Sequence, residues 1–112
     1  IRDRYDVTIH VPITFSQAVL GDDVEVPTVD GRIVQHIPEG TQSGTKFRLR
    51  GQGIQYLNGR GRGDQYVIVD VEIPKKVTRA QREALKAFED SMKEDNYEKR
   101  KGFFKNLRDH FS

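Results

Sequence analysis

Residues 66–78 read Tyr66-Val67-Ile68-Val69-Asp70-Val71-Glu72-Ile73-Pro74-Lys75-Lys76-Val77-Thr78, and the period of the chain changes within them. From Tyr66 to Ile73 the apolar residues Val67, Val69, Val71 and Ile73 alternate with partners on the other face, Asp70 and Glu72 among them. That is the pattern of a half-buried strand. Pro74 closes it. Beyond the proline, Thr78-Arg79-Ala80-Gln81 has the form of a capping box. Thr78 accepts from a first-turn N–H and Gln81 reaches back. Gln81, Ala84, Leu85, Phe88 and Met92 then recur at spacings of three and four, the period of a helix. The boundary therefore divides the chain into a body, 1–76, and a tail, 77–112.

The body reads as strand-rich in the other direction too. Tyr5, Val7, Ile9 and Val11 alternate along Tyr5–Val11, and Pro12 is expected to end that strand. Ser16–Leu20 before Gly21 predicts a short helix with a glycine stop. Asp30-Gly31, between Val24–Val26 and Ile33–Ile37, predicts a hairpin, and Pro27 argues for an edge position or a bulge. Residues 39–44 are turn formers. Lys46-Phe47-Arg48-Leu49-Arg50 alternates again, with cations outward. From Asn58 to Asp64, glycines at 59, 61 and 63 predict irregular backbone. The expected architecture is mainly β: two small packed sheets, a short helix after the first strand, and a C-terminal helical tail.

Periodicity fades over Lys93–Asn96 and returns from Lys101 to Phe111, where Phe103, Phe104, Leu107 and Phe111 share one side. A helix of about ten residues is marginal alone in water. Its aromatic row needs a cover, either a second copy of the chain or its own body.

Composition narrows the classes. The 112 residues suffice for one domain with an appendage, and no apolar run approaches the length of a membrane span. There is no cysteine, which excludes a disulfide framework, a thiolate metal site and a cysteine nucleophile. It also fits a reducing compartment. Residues 1–74 carry eight Lys/Arg against ten Asp/Glu, and residues 75–112 carry eleven against seven. The basic balance belongs to the tail. A start without methionine suggests a piece of a longer protein.

No catalytic or metal-ligating set emerges. His10, His36 and His110 have no helical ligand spacing, and the first two fall on separate strands. Asp22-Asp23 reads as a solvated or capping turn. Ser16 and Ser43 lack a nucleophile elbow. Gly59–Gly63 leads into a strand, whereas phosphate-cradling loops lead into a helix. Arg62-Gly63-Asp64, an adhesion tripeptide elsewhere, is too short to carry weight. The better-founded rival is a basic RNA-binding β-module: Lys46, Arg48, Arg50, Arg60 and Arg62 occur without an intervening acid until Asp64. Only Tyr56 lies near enough to stack a base. The third class is hydrophobic display, in which short strands with free margins accept an extended peptide.

Here the text resembles a known family. Val11-Pro12-Ile13-Thr14-Phe15, Ala18-Val19-Leu20-Gly21, Val24-Glu25-Val26-Pro27-Thr28 and Asp30-Gly31 are similar to the second C-terminal β-domain of DnaJ-type (J-domain) co-chaperones. So are Ile37–Gln42, Lys46–Gly53 and Gly63-Asp64-Gln65-Tyr66. The ending Gly102-Phe103-Phe104 with a basic-aromatic helix resembles the bacterial members. The resemblance implies a non-enzymatic, cytoplasmic chaperone fragment that holds unfolded polypeptides and forms a homodimer. It implies support of a DnaK-type ATPase through a J-domain absent from this sequence. Zinc is implied only for the cysteine-rich domain, also absent here, so no cofactor is expected. Under this reading Leu85, Phe88, Met92, Phe104, Leu107 and Phe111 are dimerisation contacts. Alternation alone nominates Val24, Val26, Phe47 and Leu49 as client-facing, with core packing as the competing reading of each.

Overall fold

A computed structural model describes residues 5–57 and 59–111, together with the backbone of residues 2 and 3. It divides into two compact units, residues 1–73 and 74–112.

In the first unit, β1 (Arg2–Asp3), β2 (Asp6–Ile13), β5 (Lys46–Leu49) and β6 (Gln65–Val71) form a four-stranded sheet in the order β1-β2-β6-β5. β2 and β6 run parallel with Ile9 opposite Val67 and Val11 opposite Val69, while β5 is antiparallel to β6 with Phe47 opposite Val67. β3 (Asp22–Thr28) and β4 (Gly31–Ile37) form the expected hairpin, with Thr28 opposite Gly31. Between β2 and β3 lies α1 (Phe15–Leu20). Thr14 caps it in a reciprocal box with Gln17, and Gly21 ends it at φ 80°. A side chain there would also meet the Ile37 carbonyl oxygen at 2.8 Å, so glycine serves both the stop and the close approach.

The core draws one or two residues from each of β2, α1, β3, β4 and β6: Ile13, Ala18, Val26, Ile37, Val67 and Val69. Ile9, Val11, Val24, Ile33, Phe47, Leu49 and Val71 pack around it, half covered. One polar side chain is sealed among them. Gln65 donates from Nε2 to the Pro27 carbonyl at 2.6 Å, tying the hairpin to the larger sheet. That bond satisfies the buried amide.

Three sequence expectations need correction. β2 does not stop at Pro12 but continues to Ile13. Val7 N–H donates to Asp64 and Ile13 C=O accepts from Glu72, so the odd residues of β2 face β6. Pro12 therefore points its missing donor toward the open margin, where none is needed. Asp22 and Asp23 lie in β3 rather than in a turn. Ile73 falls outside β6 and is exposed, because the strand ends at Val71.

The second unit holds α2 (Arg79–Ser91), a 3₁₀ turn (Glu94–Asn96) and α3 (Glu98–Phe111). Thr78 and Gln81 form the capping box read from the sequence. The break comes where periodicity faded, and α3 begins three residues before Lys101. Neither helix has a buried residue.

Candidate functional site

Two surfaces carry the sequence-stated residues, one on each unit. On the body, Val26 is 1% exposed and belongs to the core, so its side chain offers nothing to a partner. Val24, Phe47 and Leu49 are half-buried at the core's border. Phe47 and Leu49 lie on β5, which has a neighbour on one side only. At its entrance Gly44 N–H donates to the Val69 carbonyl and Thr45 C=O accepts from Val69 N–H, a bulged pairing. Antiparallel alternation then turns the odd residues of β5 toward β6. The backbone N–H and C=O of Lys46 and Arg48 are left facing outward. The site is thus a free strand margin bordered by half-covered apolar side chains.

An acidic hub fixes the far end of that strand. Asp64 accepts from Gly51 N–H at 2.9 Å and from Arg48 Nε at 2.7 Å, while its own N–H donates to Asp6 Oδ1 at 2.7 Å. The Asp64 side chain is only 16% exposed. The Gly51 N–H, then Arg48, hold its carboxyl below the usual carboxylate range. Arg48 is correspondingly raised, chiefly by its hydrogen bond to Asp64. Gly53 and Gly63 pack against the same corner, where a Cβ on Gly53 would lie 2.5 Å from the Tyr5 carbonyl oxygen. Arg62 pairs with Asp30 of the β3–β4 turn. Arg62-Gly63-Asp64 is consequently a folded-in brace with its glycine buried. It is not a displayed adhesion tripeptide. Asn58, at the start of the glycine-rich stretch, lies outside the described residues.

The cations of residues 46–62 are therefore partly spoken for. Lys46 Nζ sits 4.3 Å from the centre of the Tyr66 ring, an aromatic neighbour that the sequence reading missed. Its signal was register: Arg48 and Tyr66 are cross-strand partners. His10 bonds Asp70 and His36 bonds Asp23, each at 2.8 Å on an exposed strand face. Among the described residues no three His, Cys, Asp or Glu side chains cluster to hold a metal ion. No described helix is long and apolar enough to cross a membrane.

On the tail, Leu85, Phe88, Phe104, Leu107 and Phe111 are all exposed, Leu107 at 42% and Phe111 at 76%. Met92 is half-buried. A cleft of about 650 Å³ joins the end of α2 to the start of α3, lined by Met92, Tyr97 and Phe104 with Glu89, Lys93, Glu94 and Arg100. Arg100 lies 4.7 Å over the Phe104 ring. Lys101 Nζ meets Asp95 Oδ1 at 2.5 Å, bracing α3 against the 3₁₀ turn. That contact lowers the Asp95 carboxyl and raises the Lys101 ammonium. Sequence reasoning found the two apolar rows but not Tyr97 or Arg100, because the cleft depends on how the chain turns between the helices.

Two family models match the chain. Residues 1–74 match the DnaJ C terminal domain family, and residues 80–112 match a second family, the chaperone protein DnaJ C-terminal region. The chain is 51% identical over 110 residues to the chaperone protein DnaJ of Ruminiclostridium cellulolyticum, covering 98% of this chain and 29% of that protein. It is 50% identical over 108 residues to that of Acetivibrio thermocellus, with 96% and 28% covered. It is 49% identical over 110 residues to that of Clostridioides difficile, with 98% and 29% covered. The chain thus spans less than a third of the length of these relatives. Chaperone relatives give the RNA-binding alternative no support. A mainly β body of two small sheets followed by a helical tail, matched over its whole body by one family and over its tail by another, places this chain in the DnaJ C-terminal domain family.

Proposed function

We propose that the chain acts, without enzymatic activity of its own, as the client-holding and self-pairing end of a DnaJ-type co-chaperone. Residues 1–76 serve as the second β-domain and 77–112 as the dimerisation tail. The larger protein would deliver clients to a DnaK-type ATPase in the cytoplasm. One observation carries the reading: the apolar rows of α2 and α3 stay largely exposed on helices without a fully buried residue. Leu85, Phe88 and Met92 with Phe104, Leu107 and Phe111 are the contacts that a second copy would cover. Such apolar surface is a partner's signature more than a monomer's.

The body supports the holding role through the outward margin of β5. An extended, unfolded polypeptide can add to Lys46 and Arg48 as a strand, its side chains reaching Phe47, Leu49 and Val24. Such contacts are weak and tolerant of sequence. Two bodies joined by their tails would compensate through avidity.

Light scattering of the intact chain tests pairing. A dimer mass that falls to the monomer in Leu85→Asp/Leu107→Asp, with helical circular dichroism retained, is the expected result; a monomeric intact chain rejects it. For holding, Lys46→Pro removes only an outward N–H, which an edge strand tolerates. It should weaken suppression of aggregation of an unfolded client, whereas Lys46→Ala should not. Equal suppression by both would rule out the margin of β5.

A further inference from the structure

We infer that α2 orients the self-pairing proposed above: it meets the α2 of a second copy antiparallel, with Arg82 of each copy against the partner's Glu89. The inference rests on the self-pairing reading and adds an orientation, a register and the charges that select them. It starts from the arrangement of Arg79–Ser91 around its own axis. At 3.6 residues per turn, Gln81, Leu85 and Phe88, with Met92 at the C-cap, fall within an arc of about 60°. Leu85 is 60% exposed and Phe88 36%, so the middle of the row lies open. Arg82 and Glu89, one heptad apart, stand on one border of that arc, and Ala84 and Ser91 stand on the other. The remaining charges, Arg79, Glu83, Lys86 and Asp90, lie at the back, where Arg79 pairs with Glu83 at 3.5 Å.

Symmetry decides what such a helix can do with its own copy. A two-fold axis across an antiparallel pair lays each border beside the same border of the partner, whereas a parallel pair lays it beside the opposite one. In the antiparallel case the row of α2 is self-complementary. Turned about the midpoint between Leu85 and Phe88, Leu85 falls opposite the partner's Phe88, and Gln81 opposite the partner's Met92. Arg82 then comes within about 3 Å, measured along the axis, of the partner's Glu89, and the symmetry makes that pair twice. In the parallel case Arg82 and Glu89 would face Ala84 and Ser91, and neither charge would gain a counterpart. Charges that flank an apolar seam set helix orientation in this way. Glu89 borders the cleft at the end of α2 without an ion pair to Lys93 or Arg100, the cations that line it. α3 has no matching arrangement: the positions equivalent to Arg82 and Glu89 beside its row are Lys101 and Arg108, two cations.

The sequence has no cysteine, so introduced thiols read the orientation directly. Gln81→Cys mixed with Met92→Cys and oxidised is expected to give the mixed disulfide. Each variant alone should give none, since like positions would lie about 16 Å apart along the axis. Disulfides between like positions, or a dimer that yields no mixed one, overturn the antiparallel register and leave self-pairing standing. In sedimentation equilibrium, Arg82→Glu should weaken the dimer about tenfold, because it sets acid against acid at two places, and adding Glu89→Arg should restore it. An acid near the start of a helix and a cation near its end both favour the helix, so weakened pairing cannot be mistaken for lost folding. Equal pairing of the unaltered chain and Arg82→Glu overturns the role of the charges. A monomeric intact chain overturns the self-pairing reading itself, and this inference with it.

Discussion

The body and the tail of this chain are both amphipathic, yet only the body resolves its own amphipathicity. In residues 1–73, strands far apart in sequence turn their apolar faces onto one another, and Ile13, Val26, Ile37, Val67 and Val69 end fully enclosed. In residues 74–112, two helices with clear apolar rows bury no residue. The same binary pattern thus has two outcomes. A sheet pair offers each apolar face a partner within the domain, whereas a short helix exposes its apolar row unless another layer covers it. The body encloses its apolar residues, and the tail leaves its apolar rows exposed.

The sharpest way to break this contrast is to delete apolar volume in each region. Ile37→Ala removes a side chain that is 1% exposed, and should cost about 2–5 kcal/mol in urea unfolding of the body. Leu107→Ala, on the exposed row of α3, should shift that unfolding by less than about 0.5 kcal/mol. Comparable losses from both would mean that the two regions share one core.

A smaller effect concerns the charged brace. The Asp64 carboxyl ionises more readily in the folded body than in the unfolded chain, because Gly51 N–H and Arg48 favour its charged form. The unfolded chain therefore binds more protons in acid. The contribution of Asp64 is complete above the ordinary carboxylate range and is lost as pH falls through the lowered folded value. Asp64→Asn should lower the denaturant midpoint at neutral pH and flatten the decline in acid. A decline of unchanged steepness would assign it to other carboxylates. The smallest effect belongs to the tail. Thr78→Ala removes the N-cap of α2 and should cost about 1 kcal/mol of helix stability, read as lost helical circular dichroism with the body's unfolding unmoved.

Much of the fold was legible because its signals are local. Thr78 and Gln81 announced α2, Asp30-Gly31 announced the hairpin, and Gly21 announced the end of α1. Where reading failed, the decisive partner was distant. Pro12 breaks a strand only if its N–H is needed, and that depends on which neighbour lies on which side. Gln65 looked like a residue before a strand until the Pro27 carbonyl, 38 positions away, enclosed it. Val26 and Phe47 have the same alternation, but Val26 is sealed and Phe47 remains at a border. No spacing distinguishes them.

The sequence by itself determined the period of each segment, the boundary near Pro74, the capping of the helices and the membership of a chaperone family, since all are written in neighbouring residues. Only the tertiary structure decided the parallel pairing of β2 with β6, the free margin of β5, the Asp64 brace and the cleft at Met92, Tyr97 and Phe104. The first three depend on groups brought together across long stretches of chain, and closing such loops is rewarded only by the contacts made at the end, while the cleft depends on how the chain turns between the two helices.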